Sequence, residues 1–128
     1  MVKVAIVGSK CELSKNRIKR LGMIVDRCLE RLPNVEIVSG GAMGIDHFAE
    51  VYAFDRDYNL SILHADWKTH GTSAGVIRNK ALVEYSDKFI VFHDDKLRGT
   101  ANVIKLIQAA KKPYRLFTLD GTVFRTRD

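Results

Sequence analysis

Three stretches of this chain set glycine, hydroxyl and charged side chains at spacings suited to holding a phosphate. The first is "SGGAMGID", Ser39 to Asp46, where Gly40, Gly41 and Gly44 precede helix-forming sequence. A strand that ends in Gly-Gly and enters a helix near Gly44 presents unpaired backbone N–H groups at the helix start, and these donors with the helix dipole favour an anion. The plainer alternative is a tight turn with close helix–strand packing. Asp46 falls in the first turn, placed either to accept bonds from ribose hydroxyls or simply to stabilise the helix end. The second stretch is "HGTSAGVIRNKAL", His70 to Leu82, in which Gly71 and Gly75 lead into a helix carrying Arg78 and Asn79. A guanidinium offers phosphate a fork, and an amide can read a base or a ribose. An exposed arginine in a surface pair is the alternative there. The third stretch, "RGTANV" (Arg98 to Val103), puts Gly99 and Thr100 where a helix cap belongs.

These residues need elements to hold them. "VKVAIVG", Val2 to Gly8, is an apolar run ending in glycine, as for a strand buried on both faces. Behind Ser14 as N-cap, Ile18, Leu21, Val25, Cys28, Leu29 and Leu32 recur at helical spacing. "VEIVSGG" reads as a second strand, Ile45, Phe48, Ala49 and Tyr52 as one face of a helix to about Tyr58, and "LSILHA" (Leu60 to Ala65) as a third strand. Asp66 to Ser73 reads as a loop holding Trp67. A helix from about Ala74 to Tyr85, the strand "KFIVFH", a helix to Lys111 with Val103, Ile104 and Ile107 inward, and the strand "YRLFTL" follow. Asp120-Gly121 is a hairpin signal, with "TVFR" folding back as an edge strand. This alternation predicts a mainly parallel sheet of about five strands, covered by helices on both faces, with a short C-terminal hairpin. Ligands of such sheets bind beyond the carboxyl ends of the strands. Gly8, Gly40, Gly41, Gly44, Gly71, Gly75 and Gly99 are expected to gather there.

The totals agree with a single α/β domain over residues 1–128. No apolar run approaches the roughly 20 residues of a membrane span, and "MVKVAIVGSK" lacks a signal-peptide pattern, so a cytoplasmic protein is expected. Cys11 and Cys28 have no metal-ligand spacing and read as a loop thiol and a core filler. A net charge of +6 favours phosphate-bearing partners. That charge is dispersed, and its densest clusters (Lys15, Arg17, Lys19, Arg20, then Lys111, Lys112, Arg115) read as solvated helix faces. The four histidines, His47, His64, His70 and His93, share no zinc spacing. "HDD", His93 to Asp95, reads as a solvated turn, with Mg²⁺ beside a phosphate as the alternative. Trp67 is read as packing on a second subunit or capping the core, ahead of stacking on a base. No serine elbow and no P-loop is present.

"GSK" after the first strand, "SGGAMGID", "ADW", "HGTSAGVIRN", "YSDKFIVF" and "RGTANVI" resemble, in that order, the YspA-like branch of the SLOG superfamily, over residues 2 to about 117. The resemblance implies a Rossmann-like three-layer fold, a nucleotide-derived ligand across these loops, and dimers or larger homo-oligomers. Related LOG (lysine-decarboxylase-like) enzymes cleave the N-glycosidic bond of nucleoside monophosphates, and the DNA-processing protein A family binds single-stranded DNA with a similar glycine turn. In the LOG pattern the catalytic arginine precedes a Ser-Asp pair by eight positions, as Arg78 precedes Ser86-Asp87 here. The LOG phosphate loop, P-G-G-x-G-T-x-x-E, is matched only at Gly99 and Thr100, with Val103 in place of the glutamate. Glycosidic cleavage calls for a carboxylate. Valine supplies none, and Asp46, Asp94 and Asp95 are the substitutes on offer.

The sequence therefore points to a domain that binds a nucleotide or nucleotide-derived small molecule, as sensor or sequestering protein. Gly8, Ser9, Lys10, Gly40, Gly41, Gly44 and Asp46 hold phosphate and ribose in this reading, Gly75, Arg78 and Asn79 clamp the ligand, and Gly99 with Thr100 closes the site. The alternatives are a phosphoribohydrolase-like N-glycosidase, with Arg78 and Asp46 as candidate catalytic residues, and a single-stranded nucleic-acid binder. The last lacks a stripe of exposed aromatics.

Overall fold

The computed structural model describes residues 1–94, 100–120 and 122–127. In chain order the elements are β1 (Val2–Gly8), α1 (Lys15–Leu29), β2 (Val35–Ser39), α2 (Ile45–Asp55), β3 (Asn59–Ile62), α3 (Trp67–His70) with a 3₁₀ turn at Gly71–Ser73, α4 (Ala74–Tyr85), β4 (Lys88–His93), α5 (Ala101–Ala110), β5 (Tyr114–Thr118) and β6 (Val123–Arg127). The strands form one sheet in the order β3-β2-β1-β4-β5-β6, parallel from β3 to β5, with β6 antiparallel to β5. This is a Rossmann-like α/β fold. Strand order reverses between β1 and β4, which opens a crevice beyond their carboxyl ends.

The period of two along the central strands builds the core on both sides of the sheet. Val4, Ile6, Ile90 and Phe92 pack with α1 and α2, whereas Ala5, Val7, Phe89 and Val91 pack with α4 and α5. Val103, Ile104 and Ile107 face inward as the helical spacing requires.

Helix ends follow local chemistry. The Ser14 hydroxyl accepts the Arg17 amide at 3.1 Å and starts α1. The second helix stops at Asp55, short of Tyr58, because Asp57 takes a left-handed φ of 58° and returns Tyr58 onto the Tyr52 ring, centroids 5.9 Å apart. Lys112 is not a solvated charge. Its Nζ donates to the Val83, Glu84 and Ser86 carbonyls at 2.7, 3.1 and 2.9 Å, satisfying the end of α4.

Three further local expectations fail. The third strand is four residues beginning at Asn59, not Leu60 to Ala65. Residues 66–73 are not a loop: the Asp66 carboxylate accepts the Thr69 amide at 3.1 Å and nucleates α3. Ile18 is 40% exposed rather than inward, because it flanks the cleft described below. Of the expected hairpin, Gly121 lies outside the described residues, and Thr118 and Thr122 join β5 to β6 by a 3.0 Å backbone bond. Among the described residues no helix is long and apolar enough to cross a membrane.

Candidate functional site

Gly8 ends β1 where β4 and α2 crowd it. A Cβ there would stand 2.0 Å from the Phe92 carbonyl oxygen and 2.8 Å from the Ile45 side chain, so only glycine fits. Ser9 is buried and tied three ways. Its amide donates to the Phe92 carbonyl at 3.1 Å, its carbonyl accepts the Ile45 amide at 3.2 Å, and its hydroxyl accepts the Asp94 amide at 2.8 Å. Gly44, at a φ of 75°, lets this loop approach: a Cβ would lie 2.4 Å from the Ser9 carbonyl oxygen. What comes close to Gly8 and Gly44 is the protein's own backbone.

The glycine turn is likewise engaged. The Gly41 amide donates to the Ser39 hydroxyl at 3.1 Å, and the Ala42 amide donates to Asp46 Oδ2 at 3.2 Å. With the Ile45 amide on the Ser9 carbonyl, three donors expected to be unpaired already have acceptors, because two short side chains beside the turn and the backbone of the neighbouring loop reach them. What the turn still offers is the start of α2, where Gly44 occupies the capping position and no side chain caps the helix. Arg78 is not a surface arginine, with 11% of its side chain exposed. Its Nη1 donates to the Gly40 carbonyl and lies 3.8 Å from Asp46 Oδ2, and its Nε donates to Asn79 Oδ1 at 2.8 Å. Asn79 in turn donates to Asn102 Oδ1 at 3.0 Å, linking α4 to α5. Burial pushes the Asp46 carboxyl up to about 6, outweighing the Ala42 amide and the Arg78 charge that favour its ionised form.

In front of this scaffold lies a cleft of about 910 Å³. Lys10, Cys11, Glu12 and Leu13 form one wall, the 40–44 turn with His47, Phe48 and Val51 of α2 a second, and His64, Ala65 and Trp67 a third. Lys10 Nζ stands 5.8 Å from the Trp67 ring centroid. Trp67 is 54% exposed at the mouth, so it does not cap the core.

Of the residues singled out in the sequence, Lys10, Gly40, Gly41, Gly44 and Arg78 line this cleft. Gly8, Asp46 and Asn79 meet instead in a separate hollow of about 20 Å³, shared with Lys10, Gly40, Arg78 and Val103. Ser9 and Thr100 are buried and line neither space. Gly75 lies against Trp67, Gly71 faces open space, and Gly99 is outside the described residues. The glycines therefore gather in part only. Sequence reasoning missed Met43, His47 and Val51. Their signal is a second stripe, His47, Val51 and Phe54 of α2 with Met43 in the turn just before it, at helical spacing on the face turned from the core. His93 is buried with Nδ1 2.7 Å from the Asp94 carbonyl oxygen, Asp95 lies outside the described residues, and no metal-binding group of three His, Cys, Asp or Glu is found among the described residues.

The fold and this crevice are those of a Rossmann-like α/β domain with a ligand-sized cleft beyond the carboxyl ends of its strands. Residues 2–70 match the model of the YspA, cpYpsA-related SLOG family, and the chain belongs to that family. The gene 61 protein of Mycobacterium phage D29 is 32% identical over 120 residues, covering 88% of this chain and 94% of its own. Among solved structures, DNA processing protein A from Helicobacter pylori superposes with a TM-score of 0.66 at 21% identity, over 91% of this chain but 64% of that one. The molybdenum cofactor carrier protein from Chlamydomonas reinhardtii gives 0.64 at 16% identity, over 92% and 78% respectively. At these identities the structural likeness is one of fold.

Proposed function

We propose that the cleft binds a nucleotide or nucleotide-derived small molecule, which the protein senses or sequesters. The observation that carries this reading is the make-up of one cavity. Its 910 Å³ joins the uncapped start of α2 and the Lys10 ammonium to apolar walls from Leu13, Phe48, Val51 and Trp67. Backbone donors and a cation suit a phosphate, apolar walls and an exposed indole suit a base, and the volume falls within the range of small-ligand sites. In this reading Lys10 and the start of α2 at Gly44 meet the phosphate, and Gly40 and Gly41 shape the turn beside it. Arg78, with Asp46 and Asn79, holds the turn in shape, while Gly8, Ser9 and Thr100 set the loops from behind and Gly75 seats Trp67. The neighbours lend coarser support: one is described by its single-stranded-DNA binding and another as a cofactor carrier, so the fold holds ligands without being tied to one reaction. Homo-oligomer formation belongs to the same proposal, with the exposed Met43, Val51 and Phe54 as its apolar face.

Calorimetric titration with nucleoside monophosphates, NAD-derived compounds and ADP-ribose tests it. Binding is expected, with Lys10→Ala weakening it about tenfold, roughly 1.4 kcal/mol, at unchanged Tm. Arg78→Ala is expected to lower affinity and Tm together. No heat with any member of the panel, or unchanged affinity in both variants, overturns the reading.

A hydrolase has one observation in its favour: Asp46, with its carboxyl raised to about 6, shares a hollow with Arg78. That hollow, about 20 Å³, takes a water and not a ribose, and Val103 fills its wall where the related enzymes carry a carboxylate. Release of free base from nucleoside monophosphates separates the two readings.

A further inference from the structure

At the opposite end of the sheet from the cleft, a groove of about 440 Å³ opens between the last turn of α1 and the starts of β4 and β5. Leu29, Phe89 and Tyr114 form an apolar floor. Four cations, Arg27, Arg31, Lys88 and Arg115, line it with a single carboxylate, Glu30. We propose that this groove binds an oligophosphate anion, free or as part of a nucleic-acid backbone.

Some cations elsewhere in the chain are tied to acceptors, whereas others, such as Lys15, Lys19 and Lys80, stand singly on the surface without an ion pair among the described residues; what sets the groove apart is that four converge on one hollow. Arg17 meets Asp120 at 2.9 Å, Arg56 meets Asp26 at 3.1 Å, and Lys112 donates to three carbonyls. Arg27, Arg31 and Lys88 have no ion-pair partner among the described residues. The Arg115 guanidinium meets the Cys28 thiol, Nη1 to Sγ 3.8 Å, and a thiol is a weak acceptor that leaves the charge almost whole. All four cations are exposed, so none is held for packing alone. The dipole of α1 accounts for Arg27 in its last turn. It does not account for Lys88 and Arg115, which the strands bring in from the other side. Like charges gathered round one hollow repel, and a multivalent anion reverses that cost. The floor aromatics are buried, Phe89 at 1% and Tyr114 at 6% exposure, and give a base no face to stack on. Recognition in the groove is therefore of phosphate.

Inorganic tripolyphosphate and a labelled oligo(dT) are titrated into the intact chain at increasing salt. Both are expected to bind, with affinity falling on a log–log slope of about 2 to 3, as for three or four neutralised phosphates. The double variant Arg31→Ala/Arg115→Ala is expected to weaken binding tenfold or more at unchanged Tm, and Glu30→Gln to strengthen it. Preference for tripolyphosphate identifies a free anion, and preference for the oligonucleotide a nucleic-acid backbone; either sustains the groove. Absence of binding at low salt overturns the proposal. So does binding that survives the double substitution and is lost in Lys10→Ala, since the anion then sits in the cleft.

Discussion

Asp46 retains 5% of its surface while its carboxylate accepts the Ala42 amide and faces Arg78, with Glu50 and Lys10 close enough to act on its charge. Its folded value of about 6 exceeds the 3.8 of an unperturbed aspartate, so the folded chain holds this proton more tightly than the unfolded one. The stabilisation this brings is complete below the unfolded value and is lost as pH rises through the folded one. Across that window the loss is of order 2–3 kcal/mol. Urea titrations at a series of pH values are expected to show stability falling between about pH 4 and 6. Asp46→Asn, which keeps an acceptor for Ala42, is expected to flatten that segment, and an unchanged slope in the variant assigns the titration to another group. Sequence alone placed Asp46 beside a glycine turn and left its role open between ribose and helix end. The Arg78 contact that decides how it sits joins residues 32 positions apart, and no local pattern encodes it.

At the scale of elements, Gly8 sets the distance between β1, β4 and α2. Gly8→Ala forces a methyl against the Phe92 carbonyl, 2.0 Å away, and neither strand can yield without breaking its pairing. A loss of more than about 4 kcal/mol is expected, read by chemical denaturation or soluble yield. Gly71→Ala is the control. Its backbone, φ 56° and ψ −131°, is strained for alanine but its surroundings are open, so a cost of about 1–3 kcal/mol is expected, and equal effects at the two positions sink this account of Gly8. Most elements were legible because their periods are clean: "KFIVFH" is β4 and Ala74 to Tyr85 is α4, residue for residue. The Trp67–His70 helix was not, since one turn carries no apolar period and Gly71 reads as a loop. The cleft's apolar wall was hidden for a related reason. Val51 lies on the side of α2 that patterning assigns to solvent, and Met43 in the turn that leads into it.

Over the whole molecule, one sheet separates two apolar layers whose central strands serve both by alternation. Damage to either layer is therefore felt by the same backbone. Phe92, whose ring lies 5.4 Å from Phe117 and 6.3 Å from Phe48, belongs to the α1–α2 side. Phe92→Ala is expected to cost about 3–5 kcal/mol. Fluorescence of Trp67 and circular dichroism are expected to report one coincident transition, and two separated transitions would mean that the layers unfold apart. Ser9 gives the architecture its final consequence. The tail of one strand, the chain that leaves that same strand and the opening of a helix are moored to that single residue, so slack let out at position 94 is passed to position 45 as a pull on the same knot.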